Sequence, residues 1–452
     1  MMKDFILWSL LAISTSTGYS QDQYILPSPQ WLDTGIIYEV NIRQYTPEGT
    51  FNAFQKHIPR LQQMGVNILW LMPVYPVSRV KRKGSLGSYY AVSSYTEVNP
   101  EFGNKKDLKQ LIDLAHSHGM KIILDWVPNH TGWDHSWIMS YPEWYIKNPV
   151  TDTIMHPEHT DWYDVADLNF ESISMRQEML KSMLYWLNEF QVDGFRCDVA
   201  YKVPELFWQD AKRAFSNYKR PLFLLAESED PQLLSYGHFH ADYPWPFMHL
   251  CRDMYAGLKT ASDLRTYLMQ DQKKLIHGYH MFFTSNHDEN SWKGVESVLL
   301  GDGHPMFAAM SFLLNGIPMI YSGQEEPLMK KLRFFDKDTI PFAHFLKAPF
   351  YNKLCKIKKA NPALYPVKSG MQYEFIQTDQ DSKIFSLRRI KDENEVLGFF
   401  NCSPDTVSFQ IQSSLVSSKY QDALSGNPQK LSSGNSMTLK PWDFKIFTSN
   451  SR

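Results

Sequence analysis

Short, wholly apolar segments alternate along this chain with stretches of helical periodicity, and that alternation restricts the fold more than any other feature. The run NILWLMPVYPV (67–77) follows a helix-like stretch over 51–64 that stops at Gly65. KIILDWVPNH (121–130) follows a helix over 108–118 and Gly119, and VDGFRCDVA (192–200) follows a helix over 175–190. The rhythm continues through helix 204–215, PLFLLAESED (221–230), HMFFTSNHDEN (280–290), a helix over 306–315 and IPMIYSGQEE (317–326), after an opening strand IIYEVNIRQYT (36–46). Strands that are apolar throughout are buried on both faces, and parallel strands need crossover helices to join them. Seven strands are clear, and FHADYPWPFM (239–248) is the weakly marked eighth. Eight such units over about 300 residues suit an α/β fold of the (β/α)8 TIM barrel type better than an open sheet.

The polar residues of these runs collect at one end of each strand: Asp125, Asn129 and His130; Arg196 and Asp198; Glu227; Asn286, His287 and Asp288. A barrel brings the C-terminal ends of its strands together around one mouth. Within VDGFRCDVA, Arg196 and Asp198 are two apart, so on a strand their side chains leave the same face. Charges in such a run are costly unless they pair or do chemistry. A structural ion pair and an activated nucleophile are both open readings of that stretch alone.

Three divisions are expected. Residues 1–20 carry Lys3, an apolar run and a small polar stretch, the order of a secretory signal, which implies a secreted or periplasmic protein. Residues 21–364 would form the barrel, with an inserted domain over about 131–166 that is rich in Trp, Tyr, Pro and His. Long loops at the C-terminal ends of strands shape sites. Residues 365–452 change to short alternating strands with turn residues between them, an all-β sandwich domain with no catalytic cluster of its own.

Several function classes lack support. The formal net charge of −2 offers no basic face for nucleic acid. The N-terminal apolar run is too short to span a membrane. No Gly-rich phosphate loop follows the first strand, and the short His pairs HPEH (156–159) and HFH (238–240) lack a third ligand at metal spacing. Four cysteines, with Cys197 inside a buried strand, do not suggest a disulfide framework. No organic cofactor is expected, and the chain is expected to be a monomer.

The carboxylates at the mouth suggest a reaction. Asp198 beside Arg196 is expected to be ionised and to act as nucleophile. Glu227 follows the apolar run LFLLA, which would raise its pKa and suit it to be a general acid. Asp288 would be a third acidic group, and His130 and His287 can donate hydrogen bonds to hydroxyls. Two carboxylates in different environments are what glycoside hydrolysis needs. The aromatic content of 14% agrees with sugar stacking without requiring it.

DWVPNH, VADLNF, GFRCDVA, LLAES and TSNHDEN, in that order, resemble the motifs of the α-amylase family of glycoside hydrolases. The resemblance covers nearly the whole mature length. It implies a retaining mechanism on α-linked glucosides, chiefly α-1,4, in starch-like glucans or maltooligosaccharides, through a covalent glycosyl-enzyme intermediate. It implies Asp198 as nucleophile, Glu227 as acid and base, and Asp288 as the carboxylate that holds the distorted sugar. Arg196, His130 and His287 match residues around the scissile glucose, Asp125 a residue that orients the site, and Tyr90 the aromatic beneath that glucose. On the leaving-group side the family's Lys-His pair is replaced in DVAYKVP, where Lys202 stands without a His. Asn129 and Asp167 match ligands of the family's structural calcium, Ca2+, while QYTPEGTF lacks the Asp-rich calcium loop that some relatives carry. An exo-acting α-glucosidase or transglycosylase is an alternative within the family. A non-catalytic glucan-binding protein is an alternative outside enzymes, and the intact Asp198, Glu227 and Asp288 argue against it.

Overall fold

The computed structural model describes residues 25–367, 374–415 and 419–450, so the expected signal segment lies outside the described residues. Eight parallel strands close into a barrel in the spatial order first, eighth, seventh, sixth, fifth, fourth, third, second. They are, in chain order, Ile37–Val40, Ile68–Leu71, Lys121–Trp126, Gly194–Cys197, Phe223–Ala226, Ala241–Asp242, Tyr279–Phe282 and Gly316–Tyr321. The weakly marked sixth strand is real but only two residues long. It pairs with its neighbours through Leu225↔Ala241, Ala241↔Tyr279 and Asp242↔His280.

The strands are shorter than their apolar runs. The first stops at Val40, and the chain turns at once into a helical turn over Ile42–Tyr45, where a strand to residue 46 was expected. The second stops at Leu71, before Pro73 and Pro76, whose missing N–H groups cannot extend a ladder. The expected helix over 51–64 is three pieces, Phe51–Phe54, Gln55–His57 and Ile58–Met64. The remaining apolar residues of these runs pack the core instead.

Register places the charged residues at one height. Asp125 on the third strand faces Arg196 on the fourth, and Arg196 faces Leu225 on the fifth. The fourth strand opens at Gly194, with φ +155, where a Cβ would lie 1.8 Å from the carbonyl oxygen of Phe223. Only glycine lets these two strands pair there. Ile37, Ile68, Trp70, Ile123, Phe223, Leu225, Met281 and Met319 fill the barrel interior, all at most 3% exposed.

After the third strand the chain leaves the barrel. An antiparallel ribbon, His130–Gly132 with Val165–Asp167, forms the base of the inserted segment, through His130↔Asp167 and Gly132↔Val165. Beyond the helix Ala348–Ala360, a six-stranded antiparallel sheet and a two-stranded sheet, Val407–Gln410 with Ser436–Leu439, enclose a core of Ile384, Leu397, Phe399, Phe409 and Phe447. This is the expected C-terminal β domain. All four cysteines are buried and free. Among the described residues no helix is long and apolar enough to cross a membrane.

Candidate active site

A guanidinium at the centre of the barrel mouth organises the site. Arg196 is fully buried, and its Nη1 donates to Asp125 Oδ1 at 2.8 Å and to Asp198 Oδ1 at 2.9 Å. Its Nη2 lies 2.7 Å from Glu227 Oε2, an ion contact outside aligned hydrogen-bond geometry. Its Nε donates to the Tyr243 hydroxyl at 3.1 Å, and the group lies 4.9 Å from the Trp70 ring centroid. One cation therefore faces three carboxylates.

The acids differ in access. Asp125 is sealed, whereas the Asp198, Glu227 and Asp288 side chains are 10%, 14% and 31% exposed and face a cavity of about 780 Å³. Burial and then the neighbouring Glu227 carboxylate push the Asp198 carboxyl well up, against the pull of Arg196. The expectation from sequence, that Arg196 alone keeps Asp198 ionised, misses the crowding of acids around one cation. Burial also raises Asp125 to about 6, with Arg196 opposing.

The backbone after the nucleophile candidate helps fix Glu227. Val199 has φ +37 and ψ +45, left-handed geometry that a β-branched residue adopts only under strain of about 1–3 kcal/mol. The turn aims the Val199 N–H at Glu227 Oε2, 2.8 Å away.

A second chain of contacts runs beneath the cavity. The Tyr90 hydroxyl donates to Asp125 Oδ2 at 3.2 Å and accepts from His287 Nε2 at 2.8 Å, while His287 Nδ1 donates to Glu39 Oε1 at 2.5 Å. Burial works against charge on His287, but Asp288 and Glu39 hold its pKa up to about 9, so it carries both protons at neutral pH. His287 Nε2 is also 3.3 Å from Asp288 Oδ2, and Trp292 Nε1 donates to Asp288 Oδ1 at 3.2 Å. The Tyr90 ring stacks on His287 and on Phe334. His130 lines the cavity as neutral imidazole, because burial, aided by the charge of Lys202, lowers its pKa to about 3.

Other site candidates fare differently. Lys202 does not line the cavity; its Nζ sits 4.7 Å above the Trp162 ring of the inserted segment. Asn129 and Asp167 do meet, with Asn129 Nδ2 donating to Asp167 Oδ1 at 3.4 Å. Burial raises Asp167 to about 6, and the charge of Lys202 opposes that rise. A lysine thus already supplies positive charge there, and among the described residues no three His, Cys, Asp or Glu side chains gather to hold a metal. A calcium cage of six to eight oxygens would need further donors, such as backbone carbonyls, beside this pair.

Glu39, Trp70 and Tyr243 were not singled out from sequence. A buried Glu ending the apolar run IIYE was a visible signal for Glu39. Tyr201 was also missed; it is 56% exposed, and the Glu227 and Asp198 charges act on its hydroxyl.

The comparisons with known proteins agree with this geometry. Residues 32–340 match the family model for the α-amylase catalytic domain. The chain belongs to the α-amylase family. It carries that family's catalytic domain, that of an α-amylase-type glycoside hydrolase. The α-amylase MalA of Haloarcula japonica is 27% identical over 321 residues, 66% of this chain but only 45% of that protein's length. Alpha-amylase 2 of Dictyoglomus thermophilum is 25% identical over 442 residues, covering 85% of this chain and 74% of its own. Among solved structures, the maltogenic α-amylase AmyB of Thermotoga neapolitana superposes with a TM-score of 0.82 at 26% identity, over 93% of this chain and all of its own.

Proposed function

We propose that this α-amylase family member hydrolyses α-1,4-glucosidic bonds in maltooligosaccharides and starch-like glucans with retention of configuration. The observation that carries the reading is the single Arg196 guanidinium reaching both Asp198 and Glu227 at the cavity floor. One planar cation in reach of two carboxylates keeps them near each other, which favours the close spacing of a double-displacement route over the wider one of direct displacement by water.

In the proposed first step the Asp198 carboxylate attacks the anomeric carbon, and Glu227 gives its proton to the leaving glycosidic oxygen. A sugar entering between the two carboxylates separates their roles, one attacking carbon and the other giving a proton to oxygen. In the second step Glu227 takes a proton from water, and the resulting hydroxide displaces Asp198. Tyr90 forms the floor under the sugar ring, and His130, His287 and Asp288 hold its hydroxyls. Asp125 positions Arg196. The naming of AmyB as a maltogenic enzyme supports maltooligosaccharides as the substrate class. The order of residues in the first twenty positions supports export of the mature chain.

The deciding experiment follows the anomeric form of the first products by proton NMR during hydrolysis of maltotetraose. Initial release of the α-anomer is expected. Initial release of the β-anomer would overturn the double-displacement assignment and leave Asp198 as a base.

A further inference from the structure

The rim of the cavity is not evenly built. Lys83, on the loop after the second strand, donates to the carbonyl of Asp161 at 2.8 Å and pairs with Asp164 at 3.1 Å, both on the inserted segment. Two residues on, Ser85 donates from its N–H (2.9 Å) and its hydroxyl (2.6 Å) to Asp336 Oδ1, on the loop after the eighth strand. The Leu86 N–H adds a bond to the Phe335 carbonyl at 2.9 Å. Phe334 and Phe335 pack in turn against Trp292, on the loop after the seventh strand, which holds Asp288. Loops of the seventh, eighth, second and third strands are thus joined into one continuous wall. The Lys83 and Asp164 side chains are only 14% and 6% exposed, so this is a packed joint rather than a loose surface pair.

Topology says which side this wall closes. Around the barrel, the strand of Glu227 is the fifth, four places from the first strand in either direction. The stapled loops flank the first strand, so the wall stands across the mouth from Glu227. Over the fourth and fifth strands, the rim meets the inserted segment through Lys202 on Trp162 and presents Tyr201 to solvent. An acid must face the leaving oxygen, so the departing part of a glucan lies on the Glu227 side. The part beyond the attacked sugar, toward the non-reducing end, runs into the wall.

We infer that the Lys83–Asp164 and Ser85–Asp336 staples make the site a blind pocket for the non-reducing end of an α-glucan. The enzyme then acts from chain ends and releases short units, rather than cutting within a polymer. This rests on the glycosidase reading above and names how that site takes its substrate.

The test uses p-nitrophenyl maltoheptaoside in two forms, one free and one capped at its non-reducing end with a 4,6-ethylidene group. The expected result is turnover of the free form at least fiftyfold faster than the capped one. Lys83→Ala and, separately, Asp164→Asn should raise the capped-to-free ratio at least tenfold; Asp164→Asn keeps the side-chain volume if the alanine variant folds poorly. Equal rates on both forms by the parent enzyme would overturn the blind pocket while leaving the glycosidase reading intact. A parent ratio that neither variant moves would overturn the assignment of the wall to Lys83. Turnover of neither form would sink the glycosidase reading, and the blind pocket with it.

Discussion

Of two buried charge networks in this barrel, one faces the mouth cavity and the other does not line it. At the mouth, Arg196 holds Asp125, Asp198 and Glu227. His280 on the seventh strand lies between Asp242 on the sixth and Asp271 on the helix Ala261–Lys274, with Nε2 2.8 Å from Asp271 Oδ2. Burial opposes charge on His280, yet the two acids raise its pKa to about 10. Both networks gather acids around one cation, and both perturb pKa values strongly. What separates them is access: Asp198, Glu227 and Asp288 open to a large cavity, whereas His280, Asp242 and Asp271 do not line it and the His280 side chain is 9% exposed. A perturbed pKa marks a stressed group, and reach to a substrate makes it functional.

Substitutions can break that contrast, and the largest effect is expected at the mouth. Asp198→Asn removes the proposed nucleophile with little change in shape. Activity on maltooligosaccharides should fall on the order of 10⁴-fold or more, while thermal unfolding moves little, since one of the crowded acids is gone. Residual activity within tenfold of the parent would show that Asp198 is not the nucleophile. Asp242→Asn should do the reverse. Loss of one partner of a buried pair costs about 3–5 kcal/mol, read as a lower denaturant midpoint, with kcat/KM of the folded enzyme unchanged. The sign also fixes a pH window. His280 has a raised pKa, so its contribution is fully present below the ordinary histidine value of about 6.5 and is lost as pH rises through about 10. In Asp242→Asn the alkaline fall in stability should begin at lower pH.

The sequence carried the nucleophile and acid candidates because each ends an apolar run, where a charge stands out. Asp198, Glu227 and Asp288 could be placed at one mouth once the βα rhythm implied closure. The sixth strand was faint because only Ala241 and Asp242 pair, too short a run for periodicity to register. Glu39 was missed for another reason. Its partner His287 is 248 residues away, and their meeting depends on barrel closure between the first and eighth strands. The raised Asp198 pKa was likewise not legible, because it comes first from burial in the closed mouth and then from Glu227 and Asp125 on flanking strands, not from its own segment. The staple from Lys83 to Asp164 joins two loops, and loop pairing leaves no periodic trace.

A subtler test asks whether the chain from Glu39 through His287 and Tyr90 to Asp125 belongs to the reacting site. The arrangement needs protonated His287, so kcat/KM should fall as pH rises through about 9. Glu39→Gln removes a charge that helps hold the proton, and the alkaline limb should move to lower pH with the acid limb unchanged. A profile that stays in place would assign the alkaline limb to another group and make Glu39 a purely structural residue like Asp242.

The smallest expected effect lies on the open side of the mouth. Tyr201 follows the strained turn at Val199 and its ring is exposed; on the proposed reading the departing sugar passes over it. Stacking of a sugar on an exposed ring is worth about 1 kcal/mol, so Tyr201→Ala should raise KM for maltooligosaccharides about fivefold and leave kcat nearly unchanged. The pH profile should move little, because the Glu227 and Asp198 charges reach the Tyr201 hydroxyl at a residue that is largely in solvent. A fall in kcat with an altered pH profile would instead tie Tyr201 to the chemistry of Asp198 and Glu227. In that event the division between a charged floor that does chemistry and an aromatic rim that holds sugar would fail at this residue.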